Sequence, residues 1–394
     1  MIKKLFDKIY KWILATFFKK KIDQICTNLI IEQIKAGKLE SQSEDFWNNN
    51  NISKWPQFYN AFKKTGECHF SGCNKQTIKC SHSITKGNCL KLISDQKNHV
   101  IYPRYDYFKK KVAFEKIGIN EASVFPGFCR EHENSFKDFE SGESINESSL
   151  ILFQSYRAVC REIFYYQNLI ETSTNILVDY QKYLNSEALS RYKIEVNKFG
   201  IKELNKNRKF EVTGSRIQQI TKSNIYHQSY ISRLQKLKKS MDEIITDAKH
   251  KKGVQYKGEK YKINIPLALS GCAQVPLNKD EYFLLNFNVI PRNGEMYVFL
   301  TSYNSNQDFF NAIVNEYFGD YFQILNLIES LMIYGTDNWY ISPSYWNNIP
   351  DEIKDKILDT TFLSPNFNFQ KLPFTIFNDV RAELPMLANS KKEK

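Results

Sequence analysis

The residues of this sequence that are best suited to chemistry are cysteines and histidines in two short clusters of the N-terminal third. The first cluster reads Cys68-His-Phe-Ser-Gly-Cys73, and the second contains Cys129 and His132. Structural zinc is held by four cysteine or histidine ligands, which commonly come as two short pairs. The glycine inside the first pair can adopt the left-handed backbone conformation that a tight turn between ligands requires. We therefore expect one structural zinc ion bound by Cys68, Cys73, Cys129 and His132.

The gap between the two pairs is long, so the pattern leaves the ligand set partly open. Cys80 or His69 could replace one of the four ligands. The second pair precedes a helical run, and a metal-bound thiolate on a first helical turn lies near the positive end of the helix dipole. The other four cysteines stand alone in apolar stretches and are predicted to be small buried side chains: Cys26, Cys89, Cys160 and Cys272.

A further histidine, His82, follows the strand-like stretch from Thr77 to Cys80. A histidine at the end of a strand, followed by a metal-binding helix start, resembles the HNH, or His-Me finger, nucleases over residues 66–140. The resemblance implies that His82 is the general base that deprotonates water. It also implies that Asn134 or Glu133 holds a catalytic divalent ion, Mg²⁺ or Mn²⁺, separate from the structural zinc.

The sequence departs from the HNH pattern at several positions. Ser81 stands where many members carry an acidic or histidine metal ligand, and His132 is already needed for zinc. The stretch between His82 and Cys129 is also longer than a compact unit of two strands and a helix needs. The alternative for His82 is a zinc ligand or a hydrogen-bonded histidine of the core.

The charge of the chain favours a polyanionic partner. The 394 residues carry a formal net charge of +12, with a pI of about 9.0. A basic surface attracts nucleic acid, and Lys79, Lys86 and Arg130 could hold phosphates beside the predicted site. The basic stretch Lys193–Lys262 is either a nucleic-acid track or a solvated helical face. Arg157 and Arg161 lie four residues apart on a predicted helix, with Glu162 beside them. They could contact phosphate, but ion pairing on the helix surface is expected.

The N-terminus predicts a basic amphipathic helix and not a secretion signal. Its apolar run, Trp12 to Phe18, is too short to span a bilayer. We expect this helix to dock against the protein, with an anionic membrane surface as the alternative. Eight cysteines without a signal peptide or regular spacing argue against a disulfide framework, so a cytoplasmic location is expected. The apolar stripe of the predicted N-terminal helix consists of Ile2, Leu5, Phe6, Ile9, Ile13 and Phe17.

The elements that must position these residues indicate an α+β protein. Helices are predicted over the first 38 residues, Leu150–Leu184 and Ser186–Lys252, whereas the Asn-rich Ser41–Ser53 is predicted as a loop. Gly66–Glu140 is expected to be irregular.

After Tyr261 the pattern changes to three strand-like runs with short turns, typical of an antiparallel sheet, and further helices follow. Trp339 to Ile349 is predicted as one strand. The expected fold is a helical body with a treble-clef-like zinc module and a C-terminal domain of antiparallel sheet and helices. The predicted domains are 1–65, 66–145, 146–255 and 256–394.

The resemblance and the charge together predict a zinc-containing HNH-like nuclease that hydrolyses phosphodiester bonds of DNA or RNA, and by association a role in bacterial anti-phage defence. A partner protein or activator is compatible with this prediction. The alternatives are a non-enzymatic zinc-stapled protein that binds nucleic acid or another partner, and a membrane-peripheral effector that uses the basic N-terminal helix.

Overall fold

A computed structural model describes most of the chain. The described residues are 18–106, 111–136, 147–201, 208–246, 253–278, 281–292, 294–361 and 371–390, with the single residues 9, 10, 13, 367 and 369. Most of the apolar stripe predicted before residue 18 therefore lies outside the described residues. The same holds for part of the C-terminal stretch 362–387.

In the first half of the chain, the described residues form long helices and four strands. In chain order its elements are α1 (Lys19–Lys35), α2 (Lys38–Ser41), α3 (Glu44–Ala61), β1 (Ser81–His82), α4 (Lys91–Ile93), β2 (His99–Asp106), β3 (Lys111–Gly118), β4 (Val124–Phe125), α5 (Arg130–Asn134), α6 (Glu147–Asn197) and α7 (Ser215–Thr246).

The second half contains most of a sheet and a set of shorter helices. Its elements are β5 (Val254–Tyr261), β6 (Leu267–Pro276), β7 (Tyr282–Arg292), β8 (Glu295–Tyr303), α8 (Gln307–Tyr317), α9 (Tyr321–Ser330), β9 (Trp339–Ile341), α10 (Pro343–Asn348), α11 (Asp351–Thr360) and α12 (Asn378–Ser390). The α+β fold class is confirmed. Among the residues that the structure describes, no helix combines the length and the apolar character that a bilayer crossing requires.

The chain divides into two compact units, each built from separate stretches. The first unit comprises residues 1–58 and 169–228, and the second comprises 59–168 and 229–394. The division into four consecutive segments stays a prediction. Helices α6 and α7 each contribute residues to both units, so the sequence order of the elements does not follow the units.

The first unit is a helical body whose core repeats at helical spacing. Ile22, Cys26, Ile30 and Ile34 of α1 are buried together with Tyr180 and Leu184 of α6. The prediction of a loop over 41–53 is wrong, because α3 occupies this stretch. The rings of Phe46 and Tyr183 stack at 4.0 Å, and the buried amide of Asn50 donates to the Ile176 carbonyl, which holds the Asn-rich helix in place.

The second unit is organised around a seven-stranded antiparallel sheet with the order β3-β2-β9-β6-β7-β8-β5. Strands β6, β7 and β8 confirm the strand-like runs. Strands β2 and β3 correct the expectation that Gly66–Glu140 is irregular throughout, since eight residue pairs join them in register. The predicted strand after Trp339 ends at Ile341, because Pro343 starts helix α10 at a position that proline favours.

The apolar core of the second unit reaches the predicted zinc module. The aromatic side chains of Phe125, Phe128 and Phe136 are fully buried and pack with Tyr156 and Val159 of α6. Burying an aromatic side chain of this size contributes about 1.5–3 kcal/mol to the free energy of unfolding. The short elements β1, β4 and α5 are therefore held by this core and not by their own length.

Candidate metal centre

The first pair of predicted ligands lies in a tight hairpin turn. Glu67 bridges Gln76, and the Cys68 N–H donates to the Lys75 carbonyl at 3.0 Å. The Cys73 N–H donates to the Phe70 carbonyl at 3.1 Å, which closes the turn. Gly72 has a φ of +74°, the conformation that the sequence predicts for the glycine between the two cysteines.

The second pair lies at the start of helix α5. Cys129 is extended, directly precedes the helix, and its carbonyl accepts a hydrogen bond from the Glu133 N–H at 2.8 Å. His132 lies on the first helical turn, three residues later. This spacing directs the side chains of Cys129 and His132 towards the same side of the helix start, as the sequence predicts.

The structure brings all four predicted ligands together. The ligand atoms of Cys68, Cys73, Cys129 and His132 all lie within 4.8 Å of one another. The Cys73 and Cys129 sulfurs are 3.9 Å apart, and the His132 Nδ1 is 3.4 Å from Cys68 Sγ and 3.3 Å from Cys129 Sγ. Three thiols and one imidazole at these distances could hold a metal ion.

Backbone hydrogen bonds join the knuckle to the helix start. The His69 N–H donates to the Gly127 carbonyl at 2.9 Å, and the Ile78 N–H donates to the Phe128 carbonyl at 2.8 Å. The Phe70 ring stacks on the His132 ring with centroids 4.0 Å apart. These contacts fix the orientation of the histidine before any metal binds.

The pKa values of two thiols of the cluster are shifted in opposite directions. Burial raises the pKa of the Cys68 thiol to about 11. Burial also acts to raise the pKa of Cys129, but hydrogen bonds from the His132 backbone N–H and the neighbouring thiols outweigh it and lower that pKa. A metal ion binds thiolates, so its binding must displace the Cys68 proton.

The two alternative ligands are not part of this cluster. The His69 ring packs against Phe125 and Phe164, and burial lowers its pKa to about 4. Cys80 is exposed. The other four cysteines are buried free thiols, which confirms the prediction that they are small core side chains: Cys26, Cys89, Cys160 and Cys272.

His82 lies on strand β1, which pairs antiparallel with β4, and four residues separate β4 from helix α5. Its Nε2 is 3.3 Å from the Ile119 carbonyl oxygen, and its Nδ1, on the more exposed side, is 3.1 Å from the Cys80 carbonyl oxygen. Burial and the positive charge of Arg157 lower the pKa of His82 below its usual value. This shift favours the neutral form of the ring.

The other two predicted catalytic residues lie on helix α5 in different surroundings. Asn134 is exposed. Glu133 forms an ion pair with Arg157, whose guanidinium is wholly buried and lies 4.5 Å from the centre of the Phe136 ring. The expected surface pairing of Arg157 and Arg161 is wrong, because both side chains are buried. Arg161 pairs with Glu162 and Asp337.

Several residues around His82 could not be found by sequence reasoning. The buried hydroxyl of Ser81 accepts a hydrogen bond from the Phe128 N–H at 3.0 Å. Gln154 and Asn338 contact Ser83, the residue after His82. The one available signal was polar side chains in otherwise apolar stretches, and that signal does not name a partner.

The cations predicted to hold phosphates are all exposed: Lys79, Lys86 and Arg130. The Lys86 ammonium donates to the Asn120 side chain at 3.2 Å.

Comparisons with models of protein families, with curated proteins and with solved structures give no match for this chain. The assignment of a function therefore depends on the geometry of the site.

Proposed function

We propose that the cluster binds zinc. Two sulfur ligands at about 2.3 Å from a tetrahedral ion lie about 3.8 Å apart, and a sulfur and a nitrogen ligand about 3.6 Å apart. The sulfur–sulfur distance of 3.9 Å and the sulfur–nitrogen distances of 3.3 and 3.4 Å are close to these values. Three cysteines and one histidine are a common donor set of structural zinc, and all four positions are filled by protein. The ion would hold the knuckle against helix α5.

We further propose that this zinc module carries a metal-dependent nuclease site with His82 as general base. The observation that supports the proposal is the placement of His82 on a strand whose partner is separated by four residues from the ligand-bearing helix. The order of knuckle, antiparallel pair and helix is that of the treble-clef and His-Me finger arrangement that the sequence resembles. The substrate would be the phosphodiester backbone of DNA or RNA, in accord with the net charge of +12.

The environment of His82 suits a base. Each ring nitrogen lies within hydrogen-bond distance of a carbonyl oxygen, so the neutral ring donates to one of them and keeps a lone pair on its other nitrogen. The nitrogen with the lone pair would take a proton from a water molecule as its oxygen attacks phosphorus. The lowered pKa of His82 keeps this lone pair available at neutral pH.

The remaining groups of the reaction follow from their surroundings. A divalent ion, when bound, would stabilise the leaving oxygen and the charge on the phosphate. Asn134 is exposed and can contribute an oxygen ligand, whereas the Glu133 carboxylate already pairs with a buried guanidinium. Lys79, Lys86 and Arg130 are exposed and can contact neighbouring phosphates.

The direct test is cleavage of single-stranded and duplex DNA and of RNA with Mg²⁺, Mn²⁺ or a chelator. We expect His82→Ala to lower a divalent-dependent rate by roughly 10²–10⁴-fold with its zinc content unchanged. His99→Ala is the matched control, because His99 lies on strand β2 and contacts Asp95. If His82→Ala loses zinc, or if the wild-type protein cleaves none of these substrates, the catalytic assignment fails.

Two observations favour a second function, a zinc-stapled protein that binds nucleic acid without cleaving it. Ser81 is buried at the position where many HNH members carry a metal ligand, and its hydroxyl is engaged by the Phe128 N–H. Glu133 is likewise engaged by Arg157. Salt-dependent binding to nucleic acid without cleavage under any divalent condition would support this second function.

A further inference from the structure

A layer of polar side chains is buried between helix α6 and the sheet of the second unit. We call it the amide layer and define it by residues that are almost fully buried: Gln154, Ser270, Asn286, Asn288 and Asn338. Burying an unbonded amide costs about 1–3 kcal/mol in proteins, whereas an aliphatic side chain stabilises the same place. The amides of such a layer therefore need hydrogen-bond partners.

The members of the layer bond to one another across the helix–sheet contact. The Gln154 amide donates to Asn288 Oδ1 at 3.2 Å, and the Ser270 hydroxyl donates to the same oxygen at 2.6 Å. Asn288 in turn donates to Asn286 at 3.0 Å, and Asn286 donates to the Gly271 carbonyl. Helix α6 and strands β6 and β7 are therefore tied by one network.

The network ends at the residue that follows His82. The Gln154 amide donates to the Ser83 carbonyl at 2.7 Å, which is the shortest of its contacts. The Asn338 amide, which also donates to the Ser270 carbonyl at 2.9 Å, is 3.1 Å from the Ser83 hydroxyl. The Ser83 N–H donates to the Ser123 carbonyl. The backbone and the side chain of Ser83 are thus both held by buried partners.

The residue before His82 is held as well. The Ser81 hydroxyl accepts the Phe128 N–H, and Phe128 is adjacent to the metal ligand Cys129. His82 therefore lies between two wholly buried serines, one anchored to the metal module and one anchored to the amide layer. The His82 ring is more exposed than these two serines, and its Nε2 lies close to the Ile119 carbonyl.

We propose that Gln154 and Asn338 are positioning residues for His82. By fixing Ser83 they hold the end of strand β1 so that the imidazole keeps Nε2 beside the Ile119 carbonyl and Nδ1 beside the Cys80 carbonyl. The catalytic consequence rests on the proposed nuclease function, whereas the placement of the ring does not. Strands β6 and β7 of the sheet are then part of the scaffold of the candidate active site, although they lie more than 150 residues downstream in the sequence.

The test compares two nearly isosteric substitutions in the same layer. Gln154→Met removes the donor to the Ser83 carbonyl, whereas Asn286→Leu removes an amide that is two hydrogen bonds further from Ser83. Imidazole ¹⁵N NMR, with the His82 signals assigned by their absence in His82→Ala, reports the tautomer of the ring. Zinc content and thermal unfolding are measured on both variants to account for general destabilisation.

We expect the wild-type protein and Asn286→Leu to show two well-separated His82 ¹⁵N shifts, as one fixed tautomer requires. Gln154→Met and Asn338→Ala should draw the two shifts together as the ring exchanges between tautomers. Where cleavage is measurable, these two variants should lower kcat by roughly 10–100-fold, the scale of a misplaced catalytic group, with KM changed less than about twofold.

Unchanged His82 shifts in both Gln154→Met and Asn338→Ala would overturn the proposal. Equal changes in Asn286→Leu would also overturn it, because they would mark a general loss of structure. A wild-type protein that shows the fixed tautomer but no cleavage of any nucleic acid would refute the nuclease function alone. The NMR comparison would then still decide whether the amide layer positions the ring.

Discussion

The ion pair between Arg157 and Glu133 gives a stability prediction that also decides the role of Glu133. The Arg157 side chain is 0% exposed and that of Glu133 is 16% exposed. Arg157→Met removes the guanidinium and leaves the carboxylate in this low-dielectric place. Breaking a buried pair by removing one partner costs about 3–5 kcal/mol. With a urea m value of about 2 kcal/mol/M, the unfolding midpoint should fall by roughly 2 M.

The assay should report on the zinc module and not on the whole chain, because two units need not unfold together. Release of metal to a chromophoric chelator, followed against urea concentration, gives such a local signal. The matched control is Arg104→Met, which breaks a pair with Glu115 whose side chains are 36% and 43% exposed. A pair that is exposed to this degree is worth about 0–1 kcal/mol.

The double variant Arg157→Met with Glu133→Gln should recover more than half of the lost stability, because it removes both charges together. If cleavage is observed, this variant should also keep it, since Glu133 serves as the partner of Arg157 and Asn134 remains for the divalent ion. The reasoning is refuted if Arg157→Met costs no more than Arg104→Met, or if the double variant is as unstable as the single one.

Three further outcomes are expected. Cys68→Ser should lose bound metal and unfold the module, since structural zinc contributes about 10–16 kcal/mol in small domains, whereas Cys80→Ser should keep its metal; equal metal content in both would exclude the ligand set. The pKa of His82 lies below the usual 6.5, so the neutral base persists as the pH falls. We therefore expect kcat to stay level from about pH 8 to about pH 6.5 and to decline only below that. A decline that begins above pH 7 would contradict His82 as the base. Log affinity for nucleic acid should fall linearly with log salt, and Lys79→Ala and Arg130→Ala should each reduce the slope by about one; affinity that does not depend on salt would remove the phosphate contacts.

The cluster of four candidate metal ligands was predictable from sequence because metal-ligand pairs have a recognisable local spacing. Cysteine pairs with a glycine between them, and a cysteine and a histidine at the start of a helix, each carry their geometry within a few residues. The sequence left Cys80 and His69 as alternatives. Tertiary contacts exclude His69 from the ligand set, since its ring packs against Phe125 and Phe164.

The secondary-structure predictions that failed are those where contacts with distant residues override the local preference of the sequence. The Asn-rich stretch before Ser53 has loop character by itself, but the stacking of Phe46 on Tyr183 makes it a helix. Strands β2 and β3 pair with each other, and β2 joins the sheet through a single residue pair with β9, more than 230 residues away in the sequence. No local period predicts a pairing of that kind.

The polar surroundings of His82 were hidden for the same reason. Arg157 follows a helical pattern that suits a surface residue equally well, and its buried position depends on Glu133 and Phe136. Gln154 and Asn338 are ordinary polar residues in sequence. Only the folding of α6 and β9 onto the loop after His82 brings them to Ser83.

The measurement that tests the central claim most directly is the metal content and coordination of the purified 394-residue chain. Elemental analysis combined with zinc-edge X-ray absorption should give one zinc per chain, with three sulfurs at about 2.3 Å and one nitrogen at about 2.0–2.1 Å. A chain purified without chelators that contains no zinc, or a zinc shell of oxygen and nitrogen alone, would contradict the account.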